Sequence, residues 1–264
     1  GYSDFHINKA VLKQLIKGVI FSLPGVLEEE VASLIVRMVP SADMVRFGKN
    51  GSDATSAAVR LARAYTHREV IAVCGYHGWQ DWFIGSTTRD KGVPQSTKSL
   101  TKSFKYNDID SLRILISKHQ NQIAAVIMEP MNNTYPQQEF LADVRKLCDE
   151  NGMVLIFDET ITGFRFSKGG AQEYFNVIPD LSTFGKGVAN GFPLSVIAGK
   201  REIMMEMEEI FFSNSGAESN EGAIKIARKF GAQQGVSNPK IIVAEQSFHG
   251  RTLATLSATG NKKV

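Results

Sequence analysis

Ile123-Ala-Ala-Val-Ile-Met-Glu129 and Met153-Val-Leu-Ile-Phe-Asp158 decide the fold, because each is an unbroken apolar run that ends on a carboxylate. Continuous rather than alternating apolarity means burial on both faces, the pattern of a parallel sheet covered by helices. Working outward, Val70 to Cys74 and Ser195 to Ala198 read as further strands of the same kind, and Met44 to Phe47 as a short one. Helical spacing runs over residues 26–38 until Pro40, over 54–65 with Ala58, Leu61, Ala62 and Tyr65 on one face, and over 108–120 and 139–150. Asn151-Gly152 supplies a helix stop and turn before Met153. The fold class expected is α/β, a three-layer αβα arrangement around a mainly parallel sheet. Ligands of such sheets gather beyond the carboxyl ends of the strands. Tyr76, Glu129, Asp158 and Lys186 all fall at or just past those ends.

The bulk properties narrow the function. The 264 residues are 43% hydrophobic and 22% charged, ordinary for a globular protein with a buried core. Thirty basic residues against 27 acidic ones are mixed along the chain, without the basic stripe of a nucleic-acid binder. No apolar stretch reaches membrane-spanning length, and Asp4, His6 and Asn8 break any signal-peptide pattern. Cys74 and Cys148 read as buried free thiols of a reducing compartment, so a cytoplasmic protein is expected. No metal site is expected.

The chemistry then follows from residue types. Lys186 lies in Leu181-Ser-Thr-Phe-Gly-Lys-Gly-Val-Ala-Asn-Gly-Phe-Pro193, where an apolar run breaks into glycine-flanked loop. A lysine amine can condense with an aldehyde cofactor and later shuttle a proton, which needs a tunable pKa that lysine acquires when desolvated. Asp158 is suited to hold a pyridine nitrogen protonated, so that the ring can withdraw electrons. Helix N-terminal amides at Gly51 and Ser52, in Asn50-Gly51-Ser52-Asp53, could hold a phosphate. Tyr76 could stack on the ring, with His77 and Gly78 completing the turn. Lysine, strand-end acid and phosphate-type turn are together the parts of a pyridoxal 5'-phosphate (PLP) enzyme. Taken singly, each has a plainer reading: a solvated lysine, a helix-capping aspartate, a generic turn, half-buried packing for Tyr76-His77. Arg165 could bind a carboxylate or sit in a structural ion pair.

Residues 1–209 resemble class III aminotransferases of PLP fold type I, especially the glutamate-1-semialdehyde aminomutase-like branch. The matching words are Met44-Val-Arg-Phe-Gly-Lys-Asn-Gly-Ser-Asp-Ala54, Gly75-Tyr-His-Gly-Trp79, Glu129-Pro130, Asp158-Glu-Thr-Ile-Thr-Gly-Phe-Arg165 and Ser182-Thr-Phe-Gly-Lys-Gly187. The resemblance implies Lys186 as the Schiff-base lysine, Asp158 as the pyridinium partner, Gly51 and Ser52 for phosphate, Tyr76 as the stacking ring and Glu129 at the border of the site. It implies that Thr160 stands where an aliphatic residue usually packs on the other cofactor face. It further implies a homodimer acting on small amino donors and acceptors, as a transaminase or an aminomutase. Against the family pattern, the usual N-terminal segment and the small C-terminal domain are expected to be lacking. The alternative function is therefore a PLP-fold scaffold that has lost activity.

The tail repeats the middle. Phe211-Phe-Ser-Asn-Ser-Gly-Ala-Glu-Ser-Asn-Glu-Gly-Ala-Ile-Lys-Ile-Ala-Arg228 parallels Arg46 to Arg63, pairing Gly51 with Gly216 and Arg63 with Arg228. Tyr76-His77-Gly78 returns as Phe248-His249-Gly250. This copy resembles the acetylornithine and ornithine aminotransferase branch instead. Residues 1–209 are thus expected to form a PLP-binding core, and 210–264 a second partial strand-helix-strand copy of the phosphate cup. A chimera or assembled chain joined at Phe211-Phe212-Ser213 accounts for two branches better than duplication with decay. Gly216, Ala217 and Phe248 are then expected to be vestigial.

Overall fold

The computed structural model describes residues 3–19, 25–137, 139–207 and 215–260. Its elements begin with α1 (Phe5–Lys17), α2 (Val26–Met38), β1 (Met44–Gly48), α3 (Gly51–Thr66), β2 (Val70–Cys74), α4 (Asp81–Ile84), α5 (Gln95–Ser99) and β3 (Thr101–Ser103). They continue with α6 (Ile109–Lys118), β4 (Ile123–Met128), α7 (Phe140–Asn151), β5 (Val154–Asp158), α8 (Ala171–Tyr174), β6 (Leu181–Phe184), β7 (Ser195–Gly199) and α9 (Arg201–Met204). The chain divides into two units, Gly1–Met207 and Glu208–Val264, and the second holds α10 (Gly216–Gln233) and α11 (Leu253–Ser257).

In the first unit seven strands form one sheet in the order β1-β7-β6-β5-β4-β2-β3. The pairings from β3 across to β6 are parallel, whereas β7 runs antiparallel to both β6 and β1. The sheet is mainly parallel as expected, but Ser195–Ala198 is not one of its parallel strands. Residues 185–194 hold only the short 3-10 turn Lys186–Ala189. A parallel return needs a crossover of a dozen residues or more, usually a helix.

Alternation along the strands sorts the two faces. Ala72, Cys74, Val126, Met128, Leu155 and Phe157 pack with Leu112 of α6 and with Phe140, Leu141, Val144 and Cys148 of α7. On the same face, Phe184, Val196 and Ala198 meet Ile35 of α2. The intervening side chains, among them Ile71, Ile127 and Ile156, are fully buried under α3, which lies against β4 to β7. The result is the three-layer αβα arrangement.

α3 starts at Gly51, three residues earlier than its apolar periodicity suggests, because its cap is polar. Asn50 Oδ1 accepts from Asp53 N at 3.1 Å, and Asp53 Oδ2 accepts from Asn50 N at 3.0 Å. This reciprocal pair satisfies the first orphan donors of the helix. At the opposite end of the sheet from α3's N-terminus, Asp180 accepts from Leu155 N at 2.7 Å, Arg145 Nη1 at 2.8 Å and Lys200 Nζ at 2.6 Å. Both cysteines are buried free thiols.

The second unit rebuilds part of what surrounds α3. Ser215 caps α10 through a reciprocal pair with Glu218, as Asn50 and Asp53 cap α3. Asn220 Nδ2 donates to His249 O at 2.7 Å, and in the first unit Thr55 Oγ1 donates to His77 O at 2.8 Å. Ile241 to Ala244 form no strand, however, and Ile242 is 95% exposed. β2 is paired on both edges, by β3 and β4; the described residues of the second unit offer neither neighbour. For the same reason α10 buries none of its residues, whereas α3 buries Leu61 completely. The join at Phe211-Phe212-Ser213 lies outside the described residues.

Candidate active site

Asp158 is the last residue of β5, on the face covered by α3, and is 3% exposed. Its Oδ2 lies 2.8 Å from His77 Nδ1, and its Oδ1 accepts from Thr160 N and Thr183 Oγ1, each at 3.1 Å. Burial alone would raise its pKa. The hydrogen bond and charge of His77, with the Thr160 amide, outweigh that and hold the carboxyl below its ordinary value. The other ring nitrogen of His77 lies 3.2 Å from Cys74 O. Both ring nitrogens thus have an oxygen within hydrogen-bond distance. Trp82 stacks parallel to that ring at 6.4 Å, and Phe83 meets it edge-on at 5.2 Å.

Glu129 follows β4 and is 9% exposed, with Oε2 accepting from Tyr76 N at 3.1 Å. Burial and then the negative charge of Asp158 raise its pKa, against the Tyr76 amide and the positive charges of His77 and Lys186. The same burial, with Glu129 beside it, pushes the Cys74 thiol up to about 12. That thiol stays protonated at neutral pH and is no nucleophile.

Gly51 and Ser52 open α3, where backbone N–H groups have no acceptor within the helix and the helix dipole favours an anion. Gly78 closes over this end at φ 105°. A Cβ there would stand 2.9 Å from Ser52 Cβ, so only glycine lets the loop come this near. Lys186 begins the 3-10 turn at φ 41°, a left-handed conformation uncommon for a residue with a side chain. It is exposed, so burial does not supply the desolvation expected of it.

Gly51, Ser52, Tyr76, His77, Glu129, Asp158, Thr160 and Lys186 line a single cleft of about 260 Å3. Tyr76 is 60% exposed there, braced edge-on by Phe83 at 5.6 Å. Asn50 and Gly78, read from the sequence as parts of the two turns, line the same cleft, as do Thr55, Trp79 and Ile161, which carried no assigned role. Thr55 was recoverable: it follows Ser52 by one helical turn. Ile161 lies at the turn after β5, where no periodicity marks a side chain. Arg165 is exposed near Gly187, and no carboxylate among the described residues lies within ion-pair distance of it.

These residues fit a phosphate-bearing pyridine. A Cβ on Gly51 would sit 3.2 Å from Thr160 Cγ2, so a side chain there would fill the space between the α3 amides and the turn after β5. The helix end offers donors to an anion, and Asp158 offers a charge-favoured acceptor to a ring nitrogen. Among the described residues no cluster of three His, Cys, Asp or Glu side chains is placed to hold a metal. No described helix is long and apolar enough to cross a membrane.

Comparison with known proteins identifies the family. The glutamate-1-semialdehyde 2,1-aminomutase of Alkaliphilus oremlandii is 48% identical over 219 residues, covering 77% of this chain and 52% of the relative. An omega-transaminase from Sphaerobacter thermophilus superposes with a TM-score of 0.71 at 35% identity, covering 76% of this chain and 51% of that one. A FumI protein from Sphingopyxis sp. MTA144, solved with PLP, gives 0.75 at 29% identity over 89% of this chain and 64% of its own. The chain spans about half the length of the curated relatives it matches. The class-III aminotransferase family profile matches twice, at residues 1–209 and at 204–264. The chain belongs to the class III aminotransferases.

Proposed function

We propose that this protein performs PLP-dependent amino-group transfer between small amino donors and acceptors, as a transaminase or an aminomutase. The observation that carries the reading is the shared cleft. A buried carboxylate paired with His77, the amide end of α3 and the exposed Lys186 all border it. When bound, PLP supplies an electron sink that stabilises negative charge at the substrate carbon. The chain's own residues do the rest. Asp158, held below its ordinary pKa with His77 beside it, would keep a proton on the cofactor's ring nitrogen. The Gly51 and Ser52 amides would bind the phosphate, and Tyr76 would serve as the stacking side chain. Lys186 would hold the cofactor covalently and would move a proton at the reacting carbon. Glu129 and Thr160 would border the cofactor.

The likeness to named aminomutases over 77% of the chain supports internal amino migration within this class. On the same reading residues 1–209 are the PLP-binding core, 210–264 are a second partial copy of the phosphate cup in a chimeric chain, and the protein works in the cytoplasm as a homodimer. A spectrophotometric titration with PLP, followed by addition of amino donors, tests the function. A visible band that appears with PLP and bleaches with a donor is expected. A colourless protein, or a band that no donor bleaches, would leave a scaffold without the chemistry.

A further inference from the structure

The cleft uses Asp158 but not the carboxylate beside it. Glu159 is 1% exposed, and strand alternation turns it to the opposite face. Its Oε2 accepts from Thr162 Oγ1 and Ala171 N, both at 2.7 Å. Its Oε1 accepts from Gln172 N at 2.9 Å and Gln172 Nε2 at 3.2 Å. Four donors therefore converge on one buried carboxylate. Gly170, at φ 88°, gives it room, since a Cβ there would lie 2.7 Å from Oε1.

The backbone of the same residue fixes the wall of the cleft. Glu159 N donates to Thr183 O at 2.8 Å, extending the β5–β6 ladder by one rung past Asp158. Gly163 N donates to Glu159 O at 2.8 Å, closing the turn that holds Thr160 and Ile161. The chain then comes back to the carboxylate at Ala171 and Gln172. Gln172 passes the connection on, donating to Ser182 Oγ at 2.9 Å and accepting from Ser41 N at 3.0 Å. Side chain and backbone together tie residues 160–172 to β6 and to the end of α2.

We propose that Glu159 is a positioning residue of the active site. Its carboxylate latches the 160–172 loop, so that Thr160 N stays on Asp158 Oδ1 and Thr160 and Ile161 stay against the bound ring. This rests on the PLP reading above. A carboxylate is required because all four neighbours donate. In Glu159→Gln the side-chain NH2 must face either Ala171 N–H or Gln172 N–H, leaving that backbone donor without its acceptor in a buried place.

The test uses the full chain and three readouts. The first is hydrogen exchange at the Ala171 and Gln172 amides without PLP. The second is the PLP dissociation constant, and the third is the pH midpoint of the visible PLP band. Glu159→Gln is expected to speed the two amides at least about tenfold, weaken PLP about tenfold and move the pH midpoint, since Asp158 loses a fixed donor. Thr162→Val, which removes one donor of four, should shift all three in the same direction by about twofold. If Glu159→Gln does not fold, Thr162→Val decides. Unchanged exchange, or unchanged affinity and pH midpoint with faster exchange, overturns the proposal. If the unaltered chain binds no PLP, the functional reading has failed rather than the latch. Exchange at Ala171 and Gln172 then decides the latch alone.

Discussion

Asp158 and His77 are 81 residues apart in sequence and 2.8 Å apart in space, and the proposed chemistry of the cleft turns on that pair. The carboxylate and Lys186 were legible in the sequence, because an acid ending an apolar run and a lysine in a glycine-rich loop are conspicuous types at strand ends. The partnership was not: nothing near Tyr76-His77-Gly78 says which of several strand-end acids the ring will meet. Only the β2-β4-β5 order brings them together. Replacing His77 by Leu removes the donor and leaves Asp158 buried with less compensation. A loss of about 2 kcal/mol in unfolding free energy is expected, with PLP affinity down about tenfold. His77→Asn keeps a donor and should recover part of both. Denaturant unfolding and PLP titration on the two variants check this, and equal effects would remove the hydrogen bond from the account.

At the scale of elements, α3 is the piece that makes the cleft. Its apolar face was readable from periodicity, but its start was set by the Asn50–Asp53 cap, which lies outside that periodicity. β6 was harder still, since Leu181-Ser-Thr-Phe184 is only four residues long and neither alternates nor stays apolar, so nothing separates a strand from the loop that follows. The direction of β7 depends on how short the 185–194 connection is, a property of the link and not of the strand. The closest approach in the cup, Gly78 over Ser52, yields a direct prediction. Gly78→Ala adds both a left-handed backbone cost and a contact with Ser52, about 2 kcal/mol together. PLP should bind correspondingly less tightly, by about tenfold or more, and Tm should fall. A variant with the same affinity as the unaltered chain would mean that this approach does not shape the phosphate end. The second unit makes the converse point. α10 has the cap and spacing of α3 but buries no residue, so its amides should exchange far faster than those of α3 in a mass-spectrometric hydrogen-exchange experiment. Equal protection would show that α10 is covered in solution.

For the molecule as a whole, Asp180 is one source of sensitivity to acid. Burial would raise its pKa, but the hydrogen bond from Lys200, the charge of Arg145 and the Leu155 amide lower it overall. A carboxylate whose folded-state pKa is depressed stabilises fully above its unfolded value, here near 3.8, and loses that contribution as pH falls through the lower folded value. Asp158 acts with the same sign. The chain should therefore lose stability as pH drops below about 4. Asp180→Asn should cost about 2 kcal/mol at neutral pH and flatten that acid limb, as urea unfolding from pH 7 to pH 3 would show. A variant with the same pH slope would shift the acid sensitivity elsewhere. The central claim, that one lysine at the end of one sheet carries the cofactor, has a direct test. The chain is incubated with PLP, reduced with borohydride and digested, and the labelled peptide is identified. The account predicts one dominant adduct, on the peptide containing Lys186. Label spread over surface lysines, with none enriched at Lys186, would contradict it.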